Sequence, residues 1–207
     1  MLRLLCIKIT LDNDADNLNL KTKTMIIGLV TLLLVSVGAS PEVNHLVEID
    51  HQGCTVAMDV IHDSRAKTVL AIVGDVSKYK NGIQTVNFHD YNTGYGALKD
   101  INKQTCVITK SPVPMGTDKQ YRVGITTEVH DHVLNLVPRK LTYDDVKTLA
   151  GPKVATFCKD YTSLYADITK ANKQKRDADD AGSSMSYMWC VISRCIVNTS
   201  AFDTAMG

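Results

Sequence analysis

The sequence lacks the features by which most enzymes and nucleic-acid-binding proteins are identified. Its 23 basic and 22 acidic residues leave a formal net charge of +1, so no excess of positive charge favours nucleic acid or an anionic membrane surface. It contains no nucleophile elbow and no paired-carboxylate motif. We therefore expect a protein that is not an enzyme and that uses no cofactor and no small-molecule substrate.

A metal site is not expected either. His130-Asp131-His132 is the one pattern that invites this interpretation, because residues two apart lie on the same side of a strand. No third cluster of ligands accompanies the two histidines, whereas a protein zinc site needs at least three good ligands. We predict no bound metal.

Long apolar runs are also absent. The run Ile26 to Val37 is shorter than the roughly 20 apolar residues of a membrane-spanning helix. Lys21 and Lys23 precede it, and small residues up to Ala39 follow it, which is the pattern of a signal peptide. We predict cleavage after Ala39 and secretion; the alternative is an uncleaved type II membrane anchor.

The hydrophobic content of the full sequence, 44%, is enough for a packed core. Strand patterns occupy the first half of the chain that follows the predicted signal peptide. Val56, Met58 and Val60 alternate with more polar residues, which predicts a strand that ends near His62. Thr68 to Val73 is uniformly apolar, which predicts a strand buried on both faces. Short strands joined by turns such as Asn81-Gly82 predict an antiparallel sheet.

Helical patterns follow. Thr142 is a good N-cap for a helix to about Ala150, and Gly151-Pro152 interrupts it. Apolar residues then recur at three- and four-residue spacing from Val154 to Ile168, which predicts a second helix with Cys158 on its apolar face. The predicted fold class is α+β, an antiparallel sheet flanked by two helices.

The stretch from Asp90 to Cys106 resembles a known family. An aspartate followed by an aromatic residue, a glycine–aromatic–alanine run and a Thr-Cys-Val-Ile segment are similar to the core of the BRICHOS domain, and most similar to its gastrokine-like branch. The matching residues are Asp90, Tyr91, Gly94, Ala97, Lys103, Thr105, Cys106, Val107 and Ile108.

The resemblance implies one aspartate and a disulfide between two cysteines. Asp90 and Cys106 match the first two of these residues, and Cys158 matches the third. Without the resemblance, Asp90 is more simply interpreted as a surface aspartate that forms a turn. The layout comprises a leader and signal peptide (1–39), an N-terminal β region (40–67), a BRICHOS-like domain (68–168), a polar linker (169–184) and a β-prone tail (185–207).

The cysteines outside this pair leave two alternatives. The chain has six cysteines, and removal of the leader with Cys6 leaves an odd number. Once Cys106 and Cys158 are paired as the resemblance implies, our first choice for a second bond is Cys190 with Cys195. The second choice joins Cys54 to one of the tail cysteines. An unpaired Cys54 would allow a homo-oligomer linked between chains.

The linker and the tail carry the remaining candidate sites. Arg176 ends a basic run that approximates a proprotein-convertase site, and the alternative is a solvated charge run. The tail combines high β-propensity with low charge, which is an aggregation signature, and Arg194 is interpreted as a partial gatekeeper. Asn198 begins an N-glycosylation sequon.

The function implied by the resemblance is chaperone-like and anti-amyloid. The face of the sheet would hold extended β-prone segments, including the chain's own C-terminal tail, and delay their stacking. The alternative is an extracellular mucosal or growth-regulating factor that acts through a receptor.

Overall fold

The structure is a computed structural model. It describes residues 41–49, 53, 55–77, 79, 81–112, 114–116, 118–122, 124–126, 129–171, 185–190 and 193–198. The predicted signal peptide, Cys54, Arg176 and the linker beyond Ala171 lie outside the described residues. No helix among the described residues is long and apolar enough to span a bilayer.

Strands dominate the described part of the chain, and they form one 12-stranded sheet. They are β1 (Glu42–Ile49), β2 (Thr55–Asp63), β3 (Thr68–Val73), β4 (Gly82–Ile83), β5 (Thr85–Asp90), β6 (Tyr95–Asp100), β7 (Thr105–Lys110), β8 (Ile125–Thr126), β9 (His130–Leu141), β10 (Thr162–Lys170), β11 (Met185–Cys190) and β12 (Ser193–Asn198). Their order in the sheet is β4-β11-β12-β9-β10-β7-β6-β5-β3-β2-β1-β8. The sheet curls into a half-barrel, which brings β11 near one end into contact with β3 and β5 in the middle.

The described helices are short: α1 (Asp118–Arg122), α2 (Tyr143–Ala150) and α3 (Pro152–Cys158). The predicted N-cap of α2 is confirmed, because the Thr142 hydroxyl accepts from the backbone N–H of Asp145 and the Asp145 carboxylate accepts from that of Thr142. Val146 of α2 and Val154 of α3 belong to the same core cluster as Ala97 and Ile108 of the sheet. Both helices therefore cover the same part of the sheet, beside β6 and β7.

The predicted fold class, an antiparallel sheet flanked by two helices, is wrong. The sheet is mixed, since β8, β10, β11 and β12 each pair in parallel with a neighbour. The predicted second helix ends at Cys158, a turn follows at 159–161, and β10 occupies its range from Thr162 onward. Leu164 and Ile168 lie four residues apart, a spacing that shares one face of a strand as well as one face of a helix. These residues form a strand because they pair with β7 on one side and with β9 on the other.

Two strand predictions have different outcomes. The alternation in β2 is confirmed, with Val56, Met58 and Val60 all buried. The prediction that β3 is buried on both faces is wrong, because Ile72 is 45% exposed. The helices cover β6 and β7. One face of β3 is toward solvent, although its sequence is uniformly apolar.

A disulfide fastens the helices to the sheet. Cys106 in β7 is bonded to Cys158 at the end of α3, across 52 residues of sequence. This is the pair that the resemblance implies. Closing a loop of this size restricts the unfolded chain and stabilises the folded one by about 2–4 kcal/mol.

Candidate functional site

The C-terminal strands enter the sheet as an inserted hairpin. β11 and β12 pair with each other in antiparallel register from Met185 opposite Asn198 to Cys190 opposite Ser193. We call this pair the tail hairpin. On one side β12 lies parallel to β9, and on the other β11 lies parallel to β4. Neither neighbour is adjacent to the hairpin in sequence, so the sheet receives it much as it would receive a separate peptide.

Apolar side chains enclose the hairpin on both faces. Met188, Cys190, Cys195 and Val197 share one face and have no exposed surface. They pack against a floor formed by Leu98, Val107, Leu134, Leu164 and Ala166. Trp189 on the opposite face is equally buried and packs with the cluster of β1, β2 and β3. Each large apolar side chain buried in this way contributes roughly 1.5–3 kcal/mol.

Polar contacts hold the backbone of β11. The Thr85 hydroxyl and the Asn87 amide both donate to the carbonyl oxygen of Trp189, at 3.1 and 2.6 Å. The Asn81 side-chain amide donates to the carbonyl oxygen of Met185 at 3.0 Å. Contacts of this kind recognise an extended backbone and do not depend on the side chains of the bound strand.

One buried ion pair joins β12 to β9. The Arg194 guanidinium donates from Nε to Asp131 Oδ1 at 2.9 Å and from Nη2 to Oδ2 at 3.2 Å. The Arg194 and Asp131 side chains are only 7% and 4% exposed. The guanidinium also lies over the ring of Tyr187, 5.0 Å from its centre. A slip of β12 by one residue would separate two buried charges, so this pair specifies the register.

We call the surroundings of the hairpin the cradle: the β4 edge, the His130–Leu134 segment of β9, the donors Thr85 and Asn87, and the apolar floor. Beyond Leu134, no described strand pairs with this edge of β9. That continuation carries Pro138, Arg139 and Lys140, and its pairing with β10 is interrupted by a bulge. Proline, charge and bulges protect an open edge from further pairing. The part of β9 whose edge binds an added strand is therefore the short segment beside β12.

A buried histidine lies on β5, two residues beyond Asn87. His89 is 1% exposed, and its Nδ1 atom is 3.3 Å from the Ser111 hydroxyl. Its ring occupies the space where a side chain at Gly96 would be, since a Cβ there would lie 2.5 Å from Nδ1. Burial lowers the pKa of His89 to about 4. The ring is therefore neutral at pH 7.

Asp90 lies outside the cradle. It is 3% exposed, and its Oδ1 accepts from the backbone N–H and the side-chain amide of Asn92 at 3.1 and 2.8 Å. Its other carboxylate oxygen is 4.0 Å from the Lys153 ammonium on α3. Asp90 therefore forms a turn, as the simpler interpretation expected, but its own side chain is buried, whereas Asn92, Thr93 and Gly94 of the turn are exposed.

The remaining predicted residues are distributed as follows. Cys190 and Cys195 are thiols whose sulfur atoms lie 2.8 Å apart in the hairpin. Asn198 ends β12 and is half-buried. His130 is exposed and His132 is buried at the start of β9, and no group of three or more His, Cys, Asp or Glu among the described residues is placed to hold a metal ion.

Sequence reasoning missed the groups that hold the hairpin. Thr85, Asn87 and Asp131 are isolated polar residues whose partners lie 63 to 104 residues away. Arg194 is the only charge in the tail strands, and its interpretation as a partial gatekeeper gives no hint that it is buried against Asp131. A lone charge inside an apolar, β-prone stretch is itself a signal of a buried partner.

No family profile matches the chain, and comparisons with curated proteins and with solved structures give no match. The BRICHOS resemblance therefore remains a resemblance carried by the residues around Cys106.

The ion pair yields a stability prediction. Arg194→Met should lower the free energy of unfolding by about 3–5 kcal/mol, because it leaves the Asp131 carboxylate buried without its arginine. The double variant Asp131→Leu with Arg194→Met should recover most of that loss. Urea denaturation measures both, with Arg139→Met as control because Arg139 pairs with Asp145 at the surface. Equal losses in Arg194→Met and Arg139→Met would contradict this account.

His89 predicts a pH dependence. Its folded pKa of about 4 lies below the ordinary value of 6.5, so protonation favours the unfolded chain. Stability should be unaffected above pH 6.5, and should fall by roughly 3 kcal/mol between pH 6.5 and 4. The free energies of unfolding of wild type and His89→Gln, measured by urea denaturation across this range, should diverge by that amount. His45→Gln, at an exposed site, should follow wild type; parallel curves for wild type and His89→Gln would exclude the assignment.

Proposed function

We propose that the protein binds extended, β-prone peptide segments in a chaperone-like manner, and that the tail hairpin is the segment its own cradle holds. The observation that carries the proposal is the parallel addition of β12 to β9. The added strand comes from a part of the described chain that combines high β-propensity with low charge, which is an aggregation signature. Burying it in the cradle removes its backbone from stacking with other chains.

The contacts define which segments the cradle would accept. Thr85, Asn87 and Asn81 bind backbone carbonyls, so extended chains of many sequences can satisfy them. The floor favours alternating large apolar side chains, and Asp131 favours an arginine at one position. No covalent step is involved. The predicted signal peptide supports a location outside the cell for this activity.

Competition between the tail hairpin and an added peptide tests the proposal. The probe is a fluorescent peptide of residues 185–198 with C190S and C195S, titrated with the full chain and followed by anisotropy. Arg194→Ala in the chain loosens its own hairpin but leaves Asp131 to meet the arginine of the peptide. We expect this variant to bind the peptide about tenfold more tightly than wild type, equivalent to about 1.4 kcal/mol.

The matched control is Asp131→Ala. It loosens the hairpin in the same way but removes the carboxylate from the cradle, so the gain in affinity should be absent. Fibril formation by the same peptide, followed by thioflavin fluorescence, should be delayed most by Arg194→Ala. Equal binding by the two variants, or no binding by either, would contradict the proposal.

A further inference from the structure

Two buried thiols lie side by side in the tail hairpin. The sulfur atoms of Cys190 and Cys195 are 2.8 Å apart, nearer than unbonded sulfur atoms ordinarily approach. Neither side chain has exposed surface. In the described part of the chain these are the cysteines outside the Cys106–Cys158 disulfide.

The register of the hairpin brings the two side chains together. Cys190 is opposite Ser193, and Cys195 is opposite Met188. The cysteines are therefore diagonal neighbours on one face of a two-stranded ribbon, a position from which side chains interact. That face packs on the floor of the cradle, so both sulfur atoms point into the same enclosed space.

We infer that Cys190 and Cys195 form a disulfide across the hairpin, and that the bond forms before the hairpin enters the cradle. The oxidant is a disulfide of a small thiol. The thiolate of one cysteine attacks it and releases one small thiol; the thiolate of the other attacks the mixed disulfide and releases the second. Two cysteine thiols are oxidised, one external disulfide is reduced to two thiols, and these take up the two protons.

The order of events follows from burial. In the docked hairpin an external disulfide has no access to either sulfur atom, because both have no exposed surface. Burial, and then the neighbouring Cys195 thiol, also raise the pKa of Cys190, which suppresses the thiolate that exchange requires. Thiol–disulfide exchange therefore takes place while the hairpin is undocked. The hairpin then enters the cradle with its two strands already joined by the disulfide.

Trypsin offers a direct test, because it cleaves after Arg194, between the two cysteines. The full chain is refolded with oxidised and reduced glutathione, unfolded in an alkylating agent without reductant, digested and mapped by mass spectrometry. We expect peptides 177–194 and 195–207 to remain joined until reduction. Peptides 104–110 and 154–159, joined by Cys106 and Cys158, are the internal positive control.

Two results overturn the bond: alkylation of both Cys190 and Cys195, or linkage of either to peptide 24–65, which carries Cys54. The order is tested by adding oxidised glutathione to the reduced, folded chain. Asp131→Ala, which loosens the hairpin and keeps the tryptic site at Arg194, should form the bond at least tenfold faster than wild type when samples taken over time are mapped in the same way. Equal rates in the two proteins overturn the proposed order.

Discussion

The buried pair of Asp131 and Arg194 is the interaction on which the position of the C-terminal hairpin depends. It is a buried charged contact that joins β12 to β9, and its guanidinium lies over the rings of Tyr187 and Trp189. Apolar packing supplies most of the attraction but little specificity, because it is not directional. In any other register the two charges would be buried but separated, which is energetically costly. The ion pair therefore selects the observed register.

The hairpin is part of the core rather than an appendage. Trp189, the only tryptophan in the sequence, packs between strands from the first half of the chain. Met188 and Cys195 complete the cluster above Leu98, Val107 and Leu164. Without the hairpin, this floor and the His130–Leu134 edge of β9 would face solvent. A sheet with such an opening is suited to hold an extended segment, which is the basis of the proposed activity.

Local patterns predicted local elements well. Thr142 marked the start of α2, and the alternation around Met58 marked β2. Non-local pairing could not be predicted in the same way. The residues from Leu164 to Ile168 satisfy helical and strand periods alike, and only their neighbours β7 and β9 decide between them. The cradle was missed for the same reason, since Asn87 and Trp189 are separated by 102 residues and neither carries a local signal for the other.

Hydrogen exchange of the backbone amides in β12 tests the central claim most directly. If the cradle holds the hairpin as proposed, the amides of Cys195 to Val197 should exchange far more slowly than those of an unstructured chain, but faster than those of Val107 and Ile108 in β7, because the hairpin can leave the cradle without unfolding of the core. Exchange of the β12 amides at the rate of an unstructured chain, while β7 remains protected, would contradict the account.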